Sequence, residues 1–302
     1  MENLVQEIKK LKKERRAVIL AHVYQPPEIQ AIADYTGDSF GLSQQAAATD
    51  AEVIVFCGVH FMAETAAILS PDKIVLLPAI DAGCLMFDDM IEQVLKKKIQ
   101  EKPDAVVVSY VNTPAAVKAM SDICCTSANA VAVVESIARD KEIIFVPDRN
   151  LASYVQEQTN ANIFSWPSCC PTHARLSKAE LQAMKEKYPQ ALVLMHPECE
   201  PEVRELAYFI GSTTNIVKEA KRSQNSEFII ATEQGVLYQL EKECPDKKFY
   251  LASDKMVCSN MKKTTLEKVK SSLLQMEPRI IVPEEIRLRA VGSLQKMLAI
   301  CG

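Results

Sequence analysis

The chain has 302 residues, 48% hydrophobic and 25% charged, with a net charge of −4 at neutral pH, the balance of a globular protein long enough for about two or three small cores. That mild acidity excludes the basic face that non-specific nucleic-acid binding requires, and no run of about 18 apolar residues exists to span a bilayer. No uninterrupted apolar run precedes a small-residue cleavage site near the start, so no signal peptide is expected and a cytoplasmic location is.

Taken in chain order, lysine-rich residues 9–16 keep aliphatic positions at helical spacing and read as a solvated helix face, as do residues 96–98. Continuously apolar runs at 17–21 (AVILA), 52–56 and 73–77 predict buried parallel strands. The same rhythm returns at 105–109, 142–146 and 162–166, and again at 191–195, 227–231 and 248–252. Helices opened by a proline are predicted at 27–35, 114–121 and 201–207. Strand alternating with helix implies an α/β fold with parallel sheets and right-handed crossovers.

A repeat runs through this pattern. His22, Tyr24 and Ser39 recur as Tyr110, Asn112 and Ser127, then as His196, Glu198 and Thr213, with internal offsets of 2 and 17 residues. The triplets are 88 and 86 residues apart, and Cys84, Cys170 and Cys258 follow their heads by 60 to 62 residues. The expected fold is three homologous three-layer αβα domains with parallel sheets around a pseudo-threefold axis. Their expected spans are 1–84, 85–170 and 171–302, the last carrying additional C-terminal helices.

In open parallel sheets ligands sit beyond the carboxyl ends of the strands, where His22, Tyr110 and His196 fall. Ser39, Ser127 and Thr213 each precede a helical run and are expected at N-cap positions, where free N–H groups favour an anion. Ten cysteines without a secretion signal point to metal or catalysis rather than disulfides. Three thiolates on separate loops suit a [4Fe–4S] cluster with one iron left open as a Lewis acid, and fit a single zinc less well. Cys57, Cys124, Cys125, Cys199, Cys244 and Cys301 are assigned to packing. His60 is read as a helix-start residue, and Met62 and Glu64 as side chains within reach of the cleft.

The segments ILAHVYQPPEIQAIADYTGDS, VVVSYVNTPAAVKA, CCPTH, MHPECEPEV, GSTTNIVKEA and CSNMKKTTLEKV resemble the quinolinate synthase family, and the resemblance covers essentially the whole chain. It implies three α/β domains in a triangle around a central site. It also implies a cytoplasmic transferase of NAD biosynthesis that condenses iminoaspartate with dihydroxyacetone phosphate to quinolinate, releasing phosphate and two waters. By the resemblance Cys84, Cys170 and Cys258 match the cluster ligands, Cys170 being preferred to Cys169 because the family's C-x-x-H ends at His173. His22, Ser39, Tyr110, Val111, Asn112, Ser127, His196, Pro197, Glu198 and Thr213 match substrate-binding positions. Tyr24 matches a tyrosine of the acid–base steps, with His22, Tyr110, His196 and Glu198 as further catalytic candidates. The implied partners are the two small substrates and, functionally, an aspartate oxidase or aspartate dehydrogenase; no membrane or nucleic acid is expected. Two other readings share parts of this pattern: a diphthamide-type radical enzyme that cleaves S-adenosylmethionine, and an iron–sulfur carrier.

Overall fold

The computed structural model describes residues 2–86 and 91–300. The first unit runs α1 (Glu2–Glu14), β1 (Ala17–His22), α2 (Pro27–Ile32), β2 (Tyr35–Gly37), α3 (Ser39–Ala48), β3 (Val53–Cys57), α4 (His60–Leu69) and β4 (Ile74–Leu76). The second runs α5 (Ile91–Glu101), β5 (Val106–Tyr110), α6 (Ala115–Lys118), β6 (Ile123–Cys125), α7 (Ala130–Glu135), β7 (Ile143–Val146), α8 (Arg149–Thr159) and β8 (Ile163–Ser165). The third runs α9 (Lys178–Lys187), β9 (Leu192–Met195), α10 (Pro201–Arg204), β10 (Phe209–Ile210), α11 (Thr213–Arg222), β11 (Glu227–Ala231), α12 (Val236–Glu243) and β12 (Lys248–Leu251). A 3₁₀ turn (Asn260–Lys262), α13 (Leu266–Gln275) and α14 (Glu284–Ala299) complete the described chain.

Each unit forms one four-stranded parallel sheet with the same strand order: second, first, third, fourth. All nine expected strands are present, and each sheet holds one more, β2, β6 or β10. These added strands have only two or three residues and lie at sheet edges, too short to stand out as apolar runs. The proline-led helices stop earlier than expected because the chain turns at once into these edge strands. Asp34 and Asp122 make that turn alike, their carboxylates accepting the N–H of Ile19 and of Val107 at 2.8 Å each.

Every sheet is covered on both faces. In the first, Ile8, Ile29, Val269 and Leu273 cover one face, and Leu42, Phe61 and Ala66 the other. The third places Leu181 and Val203 against one face and Ile216 and Leu240 against the other. The last two helices reach back along the chain. Leu266, Val269 and Leu273 of α13 join the core under the first sheet, and Ala290, Leu294 and Met297 of α14 join the core of the second. Asn129 fastens α14 there by donating to the carbonyls of Met297 (3.1 Å) and Ile300 (2.9 Å). Among the described residues no helix is long and apolar enough to cross a membrane.

Candidate active site

The carboxyl ends of the three sheets open on one shared cavity. His22 and Tyr110 end β1 and β5, and His196 follows β9 directly; all three line the cavity. Tyr24, Asn112 and Glu198 line it two residues further on, and Ser39, Ser127 and Thr213 complete its polar wall. Cys84, Cys170 and Cys258 reach the same space from the loops after β4, β8 and β12. Val111 and Pro197 are buried and do not reach the wall; the Val111 N–H is already committed to the Cys125 carbonyl at 2.8 Å. Met62 lines the cavity, but Glu64 turns away and accepts the Ala115 N–H. His60 begins α4 as expected.

The hydroxyls are not the helix caps they were expected to be. Asp38 caps α3 and Ser212 caps α11, so Ser39 and Thr213 occupy the first helical position instead. Ser127 stands before Asn129, the residue that precedes α7. Freed from capping, these hydroxyls face the cavity beside the N-terminal ends of the helices, and Ser127 Oγ lies 3.2 Å from His196 Nε2.

The histidines at the first and third tips are built alike. His22 Nδ1 accepts the Tyr24 N–H (3.2 Å), and His196 Nδ1 accepts the Glu198 N–H (3.3 Å). That leaves Nε2 of each as the protonated nitrogen. Burial pushes His22 down to about 4 and His196 down to about 3, so both rings are neutral at physiological pH.

His173 ties the site together, although the sequence reading used it only to choose between two cysteines. Its ring stacks on His196 with centroids 4.5 Å apart, and its Nδ1 lies 2.8 Å from Glu198 Oε2 and 3.2 Å from the Cys170 sulfur. Since a carboxylate only accepts, Nδ1 carries a proton, and in the singly protonated ring Nε2 accepts from the Thr232 hydroxyl at 3.0 Å. The Tyr24 hydroxyl, 2.8 Å from Thr232 Oγ1, then donates to it. A continuous path Tyr24–Thr232–His173–Glu198 therefore joins the first unit to the third, with Cys170 of the second beside His173. Thr232 directly follows β11, so the strand-end argument applied to the third strand of each unit would have found it.

Tyr24 is set by close approach of the third unit. A side chain at Gly235 would meet the Tyr24 Cα at 2.7 Å and the Val23 carbonyl at 2.8 Å, so only glycine fits. Gln30 bridges the contact, donating to the carbonyls of Val23 and Gly235.

Two buried acceptors on the wall, Glu198 Oε1 and Asn112 Oδ1, receive no hydrogen bond from the described residues. Such orphans cost about 1–3 kcal/mol each and mark where a ligand's donors belong. Burial pushes Glu198 upward, but His196, the His173 N–H and the Tyr110 hydroxyl outweigh it and hold the carboxyl below its usual range. Burial raises Tyr24 and Tyr110 well above the ordinary phenol value, with Glu198 adding to both, so each is a protonated donor.

The donor set fits an iron–sulfur cluster. Among the described residues, the one group of three ligand atoms within 4.8 Å of one another is Cys170, His173 and Glu198, already joined by hydrogen bonds. The three cysteine sulfurs form no such group. A single zinc needs its sulfurs roughly 3.8 Å apart, given bonds of about 2.3 Å, whereas a cluster spreads its ligands wider. Burial pushes the Cys84 thiol up to about 12 and raises Cys170 and Cys258 as well, so loading a metal must displace protons. Cys170, not its neighbour Cys169, is the one on the cavity wall. Cys57, Cys124, Cys125, Cys199 and Cys244 are buried free thiols, and Cys301 lies outside the described residues.

A family model described as quinolinate synthetase A protein matches residues 6–299. A protein named quinolinate synthase from Desulforudis audaxviator (strain MP104C) is 55% identical over 299 residues, covering 99% of each chain. Its namesake from Geotalea uraniireducens (strain Rf4) is 54% identical, covering 97% of this chain and 96% of its own. One from Methanosarcina barkeri (strain Fusaro / DSM 804) is 52% identical, covering 98% and 97% respectively.

Proposed function

The chain belongs to the quinolinate synthase family, and from that premise we propose that it condenses iminoaspartate with dihydroxyacetone phosphate to give quinolinate, phosphate and two waters. What supports this reading most is the meeting of nine matched polar side chains and three cysteines, drawn from three sheets, around one cavity. An iron–sulfur carrier has no use for such a wall, and family membership favours the synthase over a radical enzyme that cleaves S-adenosylmethionine. The reading keeps the repeat units at 1–84, 85–170 and 171–302, with their strand tips about a pseudo-threefold axis. It includes a cytoplasmic location and a functional link to an aspartate oxidase or aspartate dehydrogenase as the source of iminoaspartate.

Cys84, Cys170 and Cys258 would hold a [4Fe–4S] cluster, which supplies a Lewis acid for the dehydration steps. The chain's own residues bind, orient and move protons. Ser39, Ser127 and Thr213, with Asn112 and the neutral His196, hold the carboxylates of iminoaspartate at the helix ends. His22 and Tyr110 orient the substrate from opposite strand tips. Glu198, ionised, takes protons during carbon–carbon bond formation and aromatisation, and Tyr24 returns them. The hydrogen bonds through His173 and Thr232 connect these two groups without solvent.

A phosphate dianion is best met by a cation, and burial keeps the rings of His22 and His196 neutral. Arg175 is the only lysine or arginine on the wall among the described residues; it is exposed and in no ion pair with a described carboxylate. In this reading it receives the phosphate of the three-carbon substrate at the cavity mouth. The test is anaerobic reconstitution with iron and sulfide, followed by an assay for quinolinate from both substrates; absence of product overturns the function. Arg175→Ala is expected to raise KM for dihydroxyacetone phosphate about 10- to 100-fold, the equivalent of one charged hydrogen bond, with kcat little changed. An unaltered KM removes Arg175 from the scheme.

A further inference from the structure

Val59, Asp148 and Glu233 stand two residues beyond the ends of β3, β7 and β11. The register makes them equivalent, since Cys57, Val146 and Ala231 pair with Ala21, Ser109 and Met195, the residues just before the three triplet heads. In the second unit Asp148 Oδ1 accepts the N–H groups of Asn150 (2.7 Å) and Leu151 (2.9 Å), capping α8. Its other oxygen, Oδ2, accepts the N–H of Cys170 at 2.5 Å. In the third unit Glu233 Oε2 accepts from Gly235 at 2.7 Å, and Oε1 accepts from Cys258 at 3.1 Å.

Each carboxylate thus spans from the start of its own helix to the backbone of the cysteine its unit contributes. Both side chains are fully buried, where a carboxylate is costly unless both oxygens are engaged. Lys262, 2.8 Å from Glu233 Oε1, pairs with the second of them. Valine at position 59 can do nothing of the kind. The first unit closes the same gap with backbone alone, the His60 N–H donating to the Ala82 carbonyl at 2.8 Å, two residues before Cys84.

We propose that Asp148 and Glu233 are positioning residues that set the Cys170 and Cys258 loops for an iron–sulfur cluster, while backbone pairing alone sets the Cys84 loop. The inference rests on the cluster reading. It treats the two carboxylates as outer partners of the ligands, whose removal ordinarily weakens a metal site about 10- to 100-fold.

The division of labour between the two oxygens supplies variants that separate positioning from folding. Asp148→Ser keeps a hydroxyl that caps α8 but cannot also reach the Cys170 N–H. Asp148→Glu keeps two acceptors. Glu233→Gln leaves one acceptor oxygen for two N–H groups. Each full-length protein is reconstituted anaerobically with iron and sulfide, and cluster absorbance is followed after a ferrous chelator is added. The melting temperature of each cluster-free chain is measured alongside.

Asp148→Ser and Glu233→Gln are expected to lose the cluster about 10 to 100 times faster than the parent, with cluster-free melting lowered by only a few degrees, the cost of one unsatisfied buried N–H. Asp148→Glu is expected to recover most of the lifetime. Variants that hold the cluster as long as the parent overturn the inference, and so does a loss fully matched by weaker folding of the cluster-free chains. A parent that takes up no cluster overturns the cluster reading and the inference together.

Discussion

Replacing any one of Cys84, Cys170 and Cys258 by serine is expected to remove both cluster uptake and quinolinate formation, and Cys169→Ser to leave both in place. The three thiols come from equivalent loops of three units and end on one cavity wall, so no neighbour can stand in for a missing one. Serine preserves size but replaces a soft thiolate by a hydroxyl that binds iron poorly. Loss of a mere outer partner costs about 10- to 100-fold in metal affinity, so loss of a ligand exceeds that, and turnover falls by more than about 100-fold. Cys169 shows the contrast within one residue. It lies half-exposed beside Arg149 and away from the wall, while the Cys170 sulfur is 3.2 Å from His173 Nδ1. Iron and sulfide content after anaerobic reconstitution and a quinolinate assay measure the outcome. Retention of a full cluster by any of the three serine variants, or its loss in Cys169→Ser, would refute this ligand set.

Much of this architecture was legible in the chain because its signals are local and repeated. Continuously apolar runs such as AVILA mark strands buried on both faces, and all nine such runs became strands within two residues of the expected ends. The triplet spacing then located the strand tips, since equal offsets in homologous units put equivalent residues at equivalent places. What escaped was decided by tertiary contact. The edge strands β2, β6 and β10 exist because a neighbouring strand pairs with them, not because Tyr35–Gly37 or Phe209–Ile210 carries a pattern of its own. Helix capping went to Asp38 and Ser212 rather than to Ser39 and Thr213, a one-residue difference that no propensity resolves. His173 and Thr232 acquire meaning only when the units meet, because His173 contacts Cys170 of the second unit and Thr232 contacts Tyr24 of the first.

Glu198→Gln is expected to lower kcat about 10²- to 10⁴-fold, the usual contribution of a positioned general base, while KM for both substrates changes only a few-fold. The substitution keeps the shape of the side chain. Its amide oxygen can still accept the His173 Nδ1–H that now reaches Oε2 at 2.8 Å, so the hydrogen-bonded path and the stacked pair of rings persist. The change falls on Oε1, the buried oxygen that no donor among the described residues satisfies, where an NH₂ group cannot take a proton. Because His196, His173 and Tyr110 hold the Glu198 carboxyl low against the upward push of burial, it stays ionised through neutral and mildly acid pH. The acid limb of the parent's rate profile therefore comes from another group, and the Gln variant should drop the whole profile without moving that limb. Cluster content and melting temperature, measured on the same preparations, separate lost chemistry from lost structure. An intact kcat, or a displaced acid limb with an unchanged plateau, would show that the proton is taken elsewhere on the wall.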